Sequence, residues 1–133
     1  RHDLLYQFSN IKPFFCHKTE KFDVKIISVD QMSDVLSSTE FIPCPNGFFH
    51  PETYRLYEAL ECGCIPIVEN AYKYYDRLFP NNPFLKIDKW SEAKPILKSW
   101  DEDQVKSKRE ECKNWWNEEK KNIQNFLKSK VTQ

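Results

Sequence analysis

Arg55 and Glu58, three residues apart and opposite in charge, follow an Asn46–Gly47 pair in the stretch CPNGFFHPETYRLYEAL. A guanidinium presents a planar fork of donors that matches phosphate oxygens, and a carboxylate accepts hydrogen bonds from hydroxyl groups. Where a loop passes into a helix, the first backbone N–H groups are unpaired and the helix dipole is positive, which suits an anion. Gly47 lets the backbone approach a ligand closely. This pattern can hold a diphosphate at the helix start and at Arg55, with ribose hydroxyls on Glu58 as on the acidic residues of dinucleotide folds. The same residue types also suit an ordinary surface turn leading into a solvated helix face, so the surrounding elements must decide.

Those elements alternate. LLYQFS (4–9) reads as a first strand, NIKPFFCHKTEK as a loop, and FDVKIISVD (22–30), β-branched and mostly apolar, as a buried strand. QMSDVLSST reads as a short helix and EFIPCP as a strand closed by its prolines. The loop NGFFHP leads to a helix over 51–62, with Pro51 at the first helical position, where its missing N–H costs nothing. Leu56, Ala59 and Leu60 form its apolar stripe and Gly63 stops it. CIPIV is a strand, YKYYDRLF a helix, FLKID a strand and SEAKPILKSW a helix. Nearly all-apolar strands alternating with helices predict a Rossmann-like α/β fold, a parallel sheet flanked by helices on both faces. Open sheets of this kind bind ligands beyond the carboxyl ends of their strands, where FIPCP runs into NGFFHPET.

From Asp101 the pattern becomes one long helix with acids at its start and lysines near its end, both favourable to the dipole. Val105, Cys112, Trp116 (or Trp115), Ile123 and Leu127 fall near one stripe. Trp115, Trp116, Ile123, Phe126 and Leu127 together exceed what one small sheet face needs, so part of this surface is expected to lie exposed in the isolated chain or to be covered by self-association. The chain is therefore read as one domain over 1–133, an α/β core at 1–100 and a C-terminal helical tail at 101–131.

Composition narrows the function classes. The 133 residues carry 20 basic and 20 acidic side chains and a net charge of zero, so no overall basic field exists for nucleic acid. No apolar run reaches the roughly 18 residues of a membrane helix. Five cysteines without scaffold spacing suggest reduced, interior thiols. The chain begins at Arg1 rather than Met, without a signal-peptide pattern, and is expected to be a piece of something longer. It contains no Asn-x-Ser/Thr sequon.

CPNGFFHPETYRLYEALECGCIPIVE resembles the donor-binding segment of exostosin-like glycosyltransferases. In that family a strand ending Cys-Pro-x-Gly leads through a variable loop to an Arg-x-x-Glu-Ala helix, then to a Gly-x-x-Pro-Val/Ile strand. The matching residues are Cys44, Pro45, Gly47, Arg55, Glu58, Ala59, Gly63, Pro66 and Val68. The ribitol xylosyltransferase branch is similar over more of the chain, about 31–128. Tyr54, Arg55, Tyr57, Glu58 and Ala59 match it, as do Ile65, Pro66, Val68 and Glu69, then Pro83, Phe84, Ile87 and Trp90 ahead of a lysine-rich helical tail.

The resemblance implies the C-terminal half of a GT-B glycosyltransferase, transferring a sugar from a UDP-sugar to a glycan or other hydroxyl acceptor. It also implies an N-terminal half elsewhere, which generally supplies the base in inverting members. No cofactor is required, and UDP-xylose is the first donor to try. The implied donor-binding set is Asn46, Gly47, Glu52, Thr53, Arg55, Glu58 and Glu69. The family's glutamate eight residues before the ribose carboxylate falls on His50, leaving Glu52 or Glu69 as substitutes. An animal-type member would work in the Golgi lumen, a viral or microbial one in the cytoplasm. The alternative is a non-catalytic nucleotide-sugar or partner-binding module on the same fold.

Other constellations are weaker. His50 carries an imidazole, the side-chain type that exchanges protons near neutrality, and is the catalytic candidate within this segment; packing at a cleft is the plainer role. Asp101–Asp103 matches a metal-holding Asp-x-Asp string, but a dipole-matched first helical turn explains it better. Cys44, Cys62, Cys64 and His50 lack zinc-site spacing, so no metal is expected. There is no Walker loop, no G-x-G-x-x-G and no nucleophile elbow.

Overall fold

The computed structural model describes residues 2–8 and 28–131. Its centre is a parallel sheet in the order β1 (Phe41–Cys44), β2 (Ile65–Glu69), β3 (Leu85–Ile87). Phe41 pairs with Ile65 and Cys44 with Val68; Ile67 pairs with Leu85 and Glu69 with Ile87. Helix α1 is His2–Phe8, α2 Val29–Ser37, α3 Tyr54–Glu61, α4 Tyr74–Leu78, α5 Ala93–Ser99 and α6 Glu102–Val131.

Strand side chains alternate, so β2 feeds two cores. Val68 packs with Ile42 and Cys44 against Leu36 of α2, Leu56, Ala59 and Leu60 of α3, Tyr75 of α4 and Trp116 of α6. Ile65 and Ile67 pack with Leu85 and Ile87 against Leu4 and Phe8 of α1, Trp90, Ala93 and Cys112. Both crossovers run the same way along the sheet, and a fixed crossover hand puts α3 and α4 on the same face. The sheet is thus covered on both faces, as the apolar strands predict.

Several expected boundaries are corrected. Of the strand expected over 4–9, residue 9 lies outside the described part and residues 4–8 are helix: Leu4 and Phe8, four apart, are both buried while Tyr6 is exposed, so α1 forms there. Of the strand expected over 22–30, residues 22–27 lie outside the described part. The remainder enters α2, because Ser28 and Gln31 form a capping box (Ser28 Oγ accepts from Gln31 N–H at 3.1 Å, Gln31 Oε1 from Ser28 N–H at 3.0 Å).

The helix expected from Pro51 begins instead at Tyr54. A start at Pro51 would need the His50 and Pro51 carbonyls to accept from N–H groups up the helix. Both point back to Gly47 N–H, at 3.0 and 3.4 Å. The expected helix over 72–79 is split: Ala71–Lys73 is a 3₁₀ turn in which Tyr72 and Lys73 have φ of 55° and 54°, and only then does α4 begin.

Gly63 ends α3 as expected, at φ 72°. The Cys64 N–H reaches the Ala59 carbonyl at 2.9 Å and the Gly63 N–H that of Leu60 at 3.3 Å, a Schellman closure. Asp101 and Gln104 cap α6 reciprocally, at 2.8 and 2.9 Å, which accounts for the acidic string there.

Helix α6 serves two purposes along its length. Cys112 and Trp116 are core, and Trp115 packs edge-on against Phe79 and Phe84. Past Lys120 every described residue is exposed, including Ile123, Phe126 and Leu127. Removing residues 123–133 is therefore expected to move the thermal midpoint by less than about 3 °C, since surface changes rarely exceed about 0.5 kcal/mol. A fall of ten degrees or more in a melting scan would make that segment part of the core.

Candidate functional site

β1 exits at Cys44 and β2 at Glu69, and the pairing of Cys44 with Val68 brings the two exits side by side. The loop from Pro45 to Thr53 leaves the first exit and returns as α3, so the start of α3 stands at the carboxyl edge of the sheet. Asn70–Lys73 leaves the second. The sequence argument placed its candidates at this edge, and the fold brings them there.

Helix α3 starts without a side-chain cap: Thr53 is extended (φ −136°, ψ 167°) and its hydroxyl makes no capping bond. Its leading N–H groups retain the donor capacity a cap would otherwise take. Arg55 Nη1 lies 2.9 Å from Glu58 Oε2 and 3.5 Å from Met32 Sδ. The side chains are 37% and 46% exposed, so this pair is worth at most about 1 kcal/mol and a stronger anion can redirect Arg55 at little cost. Burial pushes the Cys44 thiol up to about 12, with the Arg55 charge opposing and Cys64 and Glu58 reinforcing it.

Gly47 has a role the sequence did not anticipate. A Cβ there would lie 2.8 Å from the His50 carbonyl oxygen, so the residue lets the loop close on itself, and its N–H is used within the loop. Asn46 turns its side-chain oxygen into the interior, where it has no partner among the described residues. His50 is exposed. Glu52 is bound on both oxygens, accepting from Tyr57 OH at 2.5 Å and Tyr74 OH at 3.3 Å. Glu69 is half-buried at the end of the central strand, and among the described residues no hydrogen bond or ion pair reaches its carboxylate.

Sequence reasoning passed over Tyr74, Tyr72 and Lys73, and took Tyr57 as a motif match without a role. The tyrosines read as ordinary helix residues, and their meeting at Glu52 needs two helices and a loop in register. Tyr72 and Lys73 adopt left-handed backbone that costs about 1–2 kcal/mol per non-glycine residue, and such strain gathers at ligand-handling edges. Neither residue type announces it.

Two other features lie apart from this edge. A groove of about 760 Å³, lined by Glu40, Gly63, Val105, Arg109, Trp116 and Lys120 among others, sits between α6 and the turn into β2, at the amino edge. Its charges balance and Arg109 is tied to the Gly63 carbonyl at 3.0 Å, which makes it a seam of packing. The cysteine constellation does not converge on a cation site: Cys64 donates to the Leu36 carbonyl and Cys44 to that of Ile42. Among the described residues no three His, Cys, Asp or Glu side chains gather as a cation site, and no helix is long and apolar enough to cross a membrane.

No curated protein and no solved structure matches the chain. A family model described as the RXYLT1 C-terminal domain matches residues 4–133.

Proposed function

The chain belongs to the RXYLT1 C-terminal domain family, the ribitol xylosyltransferase branch of a glycosyltransferase-related group, and from that membership we propose that it binds a UDP-sugar as the donor half of a GT-B enzyme. The observation that carries this is the uncapped start of α3 with the weakly held Arg55–Glu58 pair at the carboxyl edge of β1 and β2. In the proposed complex the Tyr54 and Arg55 N–H groups and the Arg55 guanidinium hold the diphosphate. As the sugar leaves, charge builds on UDP, and donors already aimed at it stabilise that state. Glu58, released from Arg55, accepts from the ribose hydroxyls. Glu69, central and without a pairing partner among the described residues, faces the sugar ring. UDP-xylose is the donor to try first, and the acceptor hydroxyl arrives from the N-terminal half.

Calorimetry or thermal shift against UDP, UDP-xylose, UDP-glucuronate, UDP-N-acetylglucosamine and GDP-sugars tests this. Uridine ligands should bind and stabilise; an absence of any UDP response overturns the proposal. Glu58→Gln should weaken UDP more than it weakens pyrophosphate, because the carboxylate is assigned to ribose. Equal losses for both ligands would confine Glu58 to its pairing with Arg55.

A further inference from the structure

Glu52 stood as a possible contact for the sugar ring, and its surroundings point elsewhere. Its carboxylate sits between two phenols, one from the middle of α3 and one from the first residue of α4. Each ring is anchored in the body of the fold. Tyr57 packs against Trp116 and edge-on to Phe79, with centroids at 6.0 and 6.4 Å. Tyr74 stands edge-on to the fully buried Tyr75 at 5.3 Å. Burial, then the Glu52 carboxylate, raise the pKa of both phenols, so they remain donors.

We propose that Glu52 is a positioning residue, latching the Pro45–Thr53 loop to α3 and α4 through Tyr57 and Tyr74 so that the start of α3 faces a diphosphate. The loop needs such a latch. Phe48, Phe49 and His50 are exposed, and inside the loop the Gly47 N–H closes only onto the next few carbonyls. Charge-assisted bonds from two phenols tie this loop to the helices beneath it. The consequence for ligand binding rests on the UDP-sugar proposal; the latch itself does not.

The test pairs Glu52→Gln with the double variant Tyr57→Phe/Tyr74→Phe, which leaves the carboxylate in place and removes only its donors. Amide hydrogen exchange is read at Gly47 in the ligand-free protein, and UDP and pyrophosphate affinities are measured by calorimetry. A latch predicts Gly47 exchange faster by about tenfold in both variants with the β2 amides unchanged, and affinity for both ligands lower by about tenfold. Parent-like Gly47 exchange in both variants overturns the latch. So does an affinity loss confined to Glu52→Gln, because a carboxylate that touches the donor keeps its function when its phenols are removed. Should the double variant not fold, Tyr74→Phe alone is read by the same criteria. If the parent protein binds no UDP, the UDP-sugar proposal fails by itself, and exchange at Gly47 still decides the latch.

Discussion

Arg55→Ala is expected to weaken UDP binding by about 1.5–3 kcal/mol, roughly ten- to a hundredfold, with little change in the melting midpoint. The size follows from what the side chain loses. Hydrogen bonds between a guanidinium and a phosphate are charge-assisted, and removing one partner leaves the diphosphate against an uncompensated edge. The small effect on folding follows from what the side chain does without ligand. Its ion pair with Glu58 is largely solvated, its other polar contact among the described residues is the Met32 sulfur at 3.5 Å, and alanine is a better helix former than arginine. Calorimetric titration with a melting scan on the same sample separates the two. Unchanged affinity in a folded variant removes Arg55 from the phosphate site.

Trp116→Ala should be the most damaging single change to the fold, costing about 3–5 kcal/mol and lowering the midpoint by about 10–20 °C. Trp116 is 8% exposed in the core beside Leu56, Ala59 and Leu60. Its indole N–H donates to Glu61 Oε1 at 2.9 Å, its ring lies against Tyr57, and Lys120 stands over it while also pairing with Glu61 at 2.9 Å. Truncation opens a cavity and releases these groups together, against a total stability of about 5–15 kcal/mol for a domain of this kind. Trp116→Phe keeps most of the volume and removes the bond to Glu61, an exposed acceptor, so it should cost far less. If thermal denaturation finds the alanine variant within 3 °C or so of the parent, α6 is not part of the core.

The candidate edge follows from the order of elements. Cys-Pro-x-Gly, then Arg-x-x-Glu-Ala, then Gly-x-x-Pro-x-Val already states that a strand, a loop, a helix and a second strand follow one another, because local chemistry enforces each step. Val and Ile runs make strands, Gly63 admits the left-handed turn that ends α3, and Leu56, Ala59 and Leu60 share a face by helical spacing alone. Parallel strands joined by helices then have one carboxyl edge, and the candidate residues fall on it. Residues 4–8 were misread because an apolar run that short satisfies strand and helix equally, until burial of Leu4 and Phe8 against Trp90 selects one face.

What the sequence determined by itself was therefore whatever depends on neighbours in the chain: the alternation, the two-sided sheet, the stop at Gly63, the long final helix and the family. Tertiary structure alone decided where α3 begins, because the His50 and Pro51 carbonyls are drawn to Gly47 by the closing of a loop. It alone set the partners of Glu52, since Tyr57 and Tyr74 meet that carboxylate only after α3 and α4 pack on one face. It also divided α6 into a buried half and an exposed half: the apolar stripe runs past Trp116 to Leu127, but the sheet beneath it does not. Periodicity records which face of a helix is apolar, and only the extent of the neighbouring core decides how much of that face is covered.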